Sequence, residues 1–185
     1  MIIIGEKLNG AIPAVAKAIA ARDSEFIRQR ALAQAKAAQD EDYFEEPVPL
    51  YIDVCASTGP AVELETLKWM IDEVEAAIPE EMEHVAISVD SPSAAVCAKA
   101  FKLCKKPGIV NSVSMEKDAD GIVKTDIVFP AIADTEWGCV ALLCESGIPQ
   151  SVEDRMKVSD KIMERAKHYG IAPNRLYIDP LVEAA

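Results

Sequence analysis

Short runs of β-branched and apolar residues alternate along the chain with longer stretches whose apolar positions recur at helical spacing. That is the pattern of repeated βα units around a parallel sheet. Six strands are predicted: Ile2–Gly5, Leu50–Val54, Val85–Val89, Gly108–Val110, Cys139–Leu143 and Leu176–Ile178. Helices are predicted near Asp23–Ala38, Ala61–Ile78, Ser93–Cys104, Asp126–Asp134 and Val152–Tyr169. Ser151 with Asp154 forms a capping box, Gly170 and Pro173 close the last helix, and Pro79 and Pro107 follow the ends of two others. Asp40–Pro49 is an acidic, proline-containing connection, and Asp118-Ala-Asp-Gly121 reads as a turn, since it lacks the later ligands of a calcium loop.

Four predicted strands end in the same kind of group: Leu50-Tyr-Ile-Asp53, Ile87-Ser-Val-Asp90, Gly108-Ile-Val-Asn111 and Leu176-Tyr-Ile-Asp179. A fifth, Ile2-Ile-Ile-Gly-Glu6, ends in a glutamate. One acid after a strand is an ordinary turn former or helix cap. Five at equivalent ends of parallel strands converge on one rim, where barrels and open α/β sheets place their sites. Carboxylates and a carboxamide there accept hydrogen bonds from N–H donors, and no glycine-rich phosphate loop is present. A nitrogen-rich heterocycle suits such a pocket, and so does a divalent metal held by Asp53, Asp90 and Asp179.

Composition narrows the field of partners. The chain has 185 residues, 50 % of them hydrophobic, with 19 basic against 31 acidic residues and a net charge of −12. It is long enough for one domain, residues 1–185, and too acidic to favour a nucleic-acid backbone. No apolar run reaches the roughly 18–20 residues of a membrane span, and the start lacks signal-peptide character, so a cytoplasmic protein is expected. The cysteines Cys55, Cys97, Cys104, Cys139 and Cys144 form an odd set with no C-x-x-C pair, which suggests neither disulfides nor a zinc site. His84 and His168 are read as surface or capping residues, which leaves little to build a hydrolytic triad from.

Gly5-Glu-Lys-Leu-Asn9, Asp53, Asp90-Ser91, Asn111-Ser112 and Tyr177-Ile-Asp-Pro-Leu181, in that order, resemble the methyltetrahydrofolate:corrinoid-protein methyltransferases. These belong to the pterin-binding barrel group, with the folate domain of cobalamin-dependent methionine synthase and, more distantly, dihydropteroate synthase. The resemblance implies a TIM-type (β/α)8 barrel, of which the first six βα units are visible. It implies that Asp90, Asn111 and Asp179 hydrogen-bond the pterin ring of methyltetrahydrofolate or tetrahydrofolate, with Glu6, Asn9, Asp53 and Ser112 in a supporting polar network. Lys7 and Cys55 stand where the family tends to carry arginine and asparagine.

The implied reaction moves the N5 methyl of methyltetrahydrofolate to Co(I) of a corrinoid on a partner protein, with no metal bound by the chain itself. Homodimers are the implied assembly, and Trp69, Met70 and Trp137 are interface candidates that core packing explains more simply. A whole barrel of this type has eight units and typically about 250 residues. Truncation is therefore expected, with two open strand edges, an uncovered apolar interior and no seventh strand to supply the family's asparagine near N5, leaving the catalytic residue unknown. Alternative readings are a pterin-binding module without turnover, a dihydropteroate-synthase-like transferase, which would need basic residues at the rim, and a metal-dependent barrel enzyme.

Overall fold

The structure, a computed structural model, describes residues 1–182; the last three residues of the expected domain lie outside the described part. The elements in chain order are β1 (Ile3–Asn9), α1 (Pro13–Ala21), α2 (Ser24–Ala37), β2 (Leu50–Cys55), α3 (Glu63–Ala77), β3 (Val85–Asp90), α4 (Ala94–Ala100), β4 (Ile109–Val113), α5 (Lys124–Ile132), β5 (Gly138–Leu142), α6 (Val152–His168) and β6 (Leu176–Asp179). The strands form one sheet in the order β1-β2-β3-β4-β5-β6, every neighbouring pair parallel. Each strand lies beside its sequence neighbour, the winding expected of consecutive units of a (β/α) barrel.

Alternation along each strand divides the sheet into two faces. Leu50, Ile52 and Val54 of β2 and Val85, Ile87 and Val89 of β3 belong to the core, which the helices cover from outside. Ile27, Ala31 and Ala35 of α2, and Leu67, Met70, Ile71 and Val74 of α3, supply the facing layer at helical spacing. Met70 and Trp137 are buried in this core, which removes them as interface residues, and half-buried Trp69 carries the guanidinium of Arg22 over its ring at 4.9 Å.

Five of the six strands run past their expected ends, β5 stops one residue short of the expected Leu143, and α1 lies where no helix is expected. Arg22, at φ 51°, ends α1, and Asp23 then caps α2 by accepting a hydrogen bond from the Phe26 amide at 3.0 Å. One left-handed residue thus separates α1 from α2, whose start at the Asp23 cap agrees with the expected helix from Asp23 to Ala38. The α5 helix starts two residues before the expected Asp126, and Asp126 instead pairs with Arg165 and accepts from the Tyr169 hydroxyl. The capping box of α6 is present, with the Asp154 amide donating to Ser151 Oγ at 3.1 Å. Asp118 nucleates the expected turn by accepting from the Asp120 and Ile122 amides, and a short antiparallel bridge, Lys117 to Val123, closes it. His168 is exposed as expected; His84, by contrast, is half-buried, with its Nε2 enclosed and unpartnered.

Candidate functional site

The concave face of the sheet carries the other half of each strand: Tyr51, Asp53 and Cys55 on β2; Ala86, Ser88 and Asp90 on β3; Asn111 on β4; Tyr177 and Asp179 on β6. Cα pairing aligns Cys55, Asp90, Asn111, Val140 and Tyr177 in one row across five strands. In a barrel of this type the register drops by about one residue per strand, so that side chains at one height come from alternate strands. Asn111, two strands from β2, is therefore level with Asp53, and its Nδ2 donates to Asp53 Oδ1 at 3.0 Å. Tyr177, four strands away, is level with Tyr51, and their hydroxyls are 3.3 Å apart. One pleat above the two tyrosines, Asp53 and Asp179 stand on facing strands.

Two strand irregularities place the remaining residues. The register of β1 slips between Gly5 and Leu8, where the Lys7 amide donates to Gln34 Oε1 at 3.2 Å and its carbonyl accepts from Arg30. The extra residue turns Leu8 outward into the core and brings both Glu6 and Asn9 to the concave side. A second slip in β4, between Asn111 and Val113, leaves Ser112 in a bulge, with Val113 buried outside. Asn9 Oδ1 accepts from the Ala11 amide at 2.8 Å and from Ser57 Oγ at 3.2 Å. The connections after β1 and β2 meet here so closely that a Cβ on Gly10 would lie 2.1 Å from the Ala56 carbonyl oxygen. Only glycine fits that position.

Asp53 is the centre of the network. It is 1 % exposed and accepts from Ser88 Oγ at 2.5 Å as well as from Asn111. Burial, and then the nearby charge of Asp90, push its carboxyl up to about 7, while Ser88 and Asn111 pull the other way. Asp90 is also raised, chiefly by desolvation. Cys55 beside them is a buried thiol pushed up to about 12 by the same loss of water, so it stays protonated and unreactive near neutrality.

Six of the seven sequence-derived residues thus gather on the concave side of β1 to β4. Asp90, Asn111, Asn9 and Ser112 are half-buried, Asp53 is buried and Glu6 is exposed. Asp179 shares the rim without joining the network; it is exposed, and its Oδ1 accepts from the Leu181 amide at 2.8 Å. Among the described residues, no group of three or more His, Cys, Asp or Glu side chains is placed to hold a metal ion. Two contributors escaped the sequence reading: Ser88, which anchors Asp53, and buried Glu63, which accepts at 2.8 Å from Ser91 of the Asp90-Ser91 motif. Ser88 alternates with core valine and isoleucine, a legible sign of an inward polar position. Glu63 resembles any first-turn acid, and nothing along the chain marks it.

The family model described as pterin binding enzyme matches residues 49–185. A curated relative named methylcorrinoid:tetrahydrofolate methyltransferase, from Eubacterium limosum, is 46 % identical over the whole of this chain. The chain spans 62 % of that relative's length. A parallel sheet wound in sequence order, an acid and amide network on its concave rim, and a family match over most of the chain agree with one another: the chain belongs to the pterin-binding enzymes.

Proposed function

We propose that this chain binds tetrahydrofolate and its N5-methyl form through the pterin ring, and serves methyl transfer between that folate and a corrinoid held by a partner protein. The observation that carries this reading is the hydrogen bond from Asn111 to buried Asp53, with Asp90 beside it on the open concave rim. In this proposal Asp90, Asn111 and Asp179 bind the ring, and Glu6, Asn9, Asp53 and Ser112 hold the first group in place.

The donor set fits the ring. A pterin edge presents an amino group and a ring N–H side by side, which one carboxylate accepts together, while a carboxamide both donates and accepts. Each such bond to a charged group contributes about 1.5–3 kcal/mol. The corrinoid supplies a cobalt centre that exchanges the methyl group, so the chain needs no nucleophilic side chain of its own. Its task is to orient N5 toward an open rim and to manage a proton, because N5 departs from a methyl group most readily when protonated and must lose a proton after gaining one. Asp53 and Asp90 are both raised, chiefly by burial, which favours their protonated forms, and a carboxyl oxygen of either can hold a proton close to the ring.

The relative's name writes the transfer from methylcorrinoid to tetrahydrofolate, the reverse of the direction in the sequence reading. Both directions pass through one transition state, and the same contacts serve either. A homodimer and a cytoplasmic location belong to the same proposal. All five cysteines are free thiols, in keeping with a reducing compartment, and no helix among the described residues is long and apolar enough to cross a membrane.

Calorimetric titration with tetrahydrofolate and methyltetrahydrofolate, in the presence of a chelator, tests the binding. Saturable binding of both is expected, followed by loss of the methyl-cobalt absorbance when methylated corrinoid protein and tetrahydrofolate are mixed with the chain. A folded chain that binds neither folate overturns the reading, and binding without turnover reduces it to a folate-binding module. Sedimentation velocity tests the dimer.

A further inference from the structure

Below the acid and amide layer lies a pair of side chains that the network does not use. Tyr51 and Tyr177 stand on strands separated by three others in the sheet, yet their hydroxyls are 3.3 Å apart and their rings meet edge to face with centroids at 6.1 Å. Neither ring belongs to the hydrophobic core, and both are half-buried. The positions beside them are small in a way that makes room for the rings. Gly138 lies along the sheet from Tyr177, and a Cβ there would come within 3.0 Å of the Tyr177 ring. Ala86 is the register partner of Tyr51 on β3.

We propose that Tyr51 and Tyr177 form the floor of the pterin pocket and act as positioning residues, their paired hydroxyls setting the depth at which the ring rests and the spacing of Asp53 from Asp179. The inference rests on the pterin-binding reading above and adds to it two residues from outside the acid and amide set. Each tyrosine is two residues before an acid on the same strand face, so the contact that fixes the tyrosines relative to each other also fixes the acids one pleat higher. Two phenols sharing one hydrogen bond leave one O–H without an acceptor in the protein, since neither hydroxyl has another partner among the described residues. That O–H is a donor left free beneath the acid and amide layer. A ring seated on this floor therefore meets carboxyl and carboxamide groups around its edge and a phenol donor beneath.

Wild-type chain carrying 3-fluorotyrosine provides the test, because it requires no substitution that could disturb folding. The chain has four tyrosines, and Tyr43 and Tyr169 lie away from the pocket as internal controls. Tetrahydrofolate is expected to shift the fluorine resonances of Tyr51 and Tyr177, assigned with Y51F and Y177F, and to leave the other two in place. Y177F is expected to weaken tetrahydrofolate by about two- to tenfold, the range of one neutral hydrogen bond, with an unchanged melting temperature. A reduced pterin without the aminobenzoyl tail should weaken by the same factor, because the floor meets only the ring. If tetrahydrofolate binds the wild type while the Tyr51 and Tyr177 resonances stay in place, the floor is overturned and the pterin reading stands. If the wild type binds no folate, the pterin reading falls, and the floor with it.

Discussion

On a single strand, β2, two chemistries alternate. Leu50, Ile52 and Val54 meet α2 and α3 at 2 % exposure or less, while Tyr51, Asp53 and Cys55 between them face the concave side. The outer face is held by dispersion and loss of apolar surface, which tolerate small changes of shape and are indifferent to pH. The inner face is held by a few directional bonds around an acid that burial has made reluctant to ionise. Stability therefore belongs mainly to one face and ligand chemistry to the other. Asp53 is the exception, a buried charge whose presence costs stability and whose place is explained by the site.

The contrast is tested most severely by Ile52→Ala. Truncating a fully buried outer side chain should cost about 2–5 kcal/mol of stability, measured by urea unfolding, while folate affinity of the folded fraction stays near wild type. A large loss of affinity would show that the faces are not separable. Asn111→Ala and Asp179→Ala sharpen the comparison within the inner face. Each should weaken folate binding by about 1.5–3 kcal/mol in calorimetry. Only Asn111→Ala should also lower the unfolding midpoint, because it leaves Asp53 buried with Ser88 as its remaining partner, whereas Asp179 lies exposed outside the network.

Asp53→Asn tests the cost of the buried acid. Its carboxyl is raised from 3.8 to about 7, so the folded state binds a proton that the unfolded state has released across that window. Stability therefore falls as pH rises from about 4 through 7, and the destabilisation is complete above 7. The amide keeps an acceptor for Ser88 and Asn111 but carries no charge. The variant should melt above wild type at pH 8, with the gap closing toward pH 4, and it should bind folate more weakly. A gap independent of pH would remove Asp53 as the titrating group. Cys55→Ser should change little: the thiol is protonated, and a serine hydroxyl can keep its hydrogen-bond contacts with Ser57 and Asp90, so a shift within about 0.5 kcal/mol is expected.

Much of this arrangement was legible along the chain. The apolar runs mark the six strands, and the acids and amide after them fall at one edge of the sheet. The misses share a cause. The bulge that turns Glu6 and Asn9 to one side depends on Gln34 and Arg30, which come from α2, and sequence spacing carries no record of that partnership. The α1 helix has no side-chain cap at Ile12, so the capping signal that marks the start of α2 is missing there. The expected apolar interior is instead mixed, because tyrosine and aspartate occupy alternate positions that a strand pattern scores only as partly polar.

Local sequence determined the strands, the helices that cover them and the ends at which polar groups would collect, since these follow from side-chain period and from residues adjacent in the chain. Tertiary structure alone decided which of those groups meet. Asn111 reaches Asp53 across β3, and Tyr177 reaches Tyr51 across three strands, because the stagger of the curved sheet offsets each strand from the last. That offset is a property of the curved, staggered sheet as a whole, and no single segment encodes it.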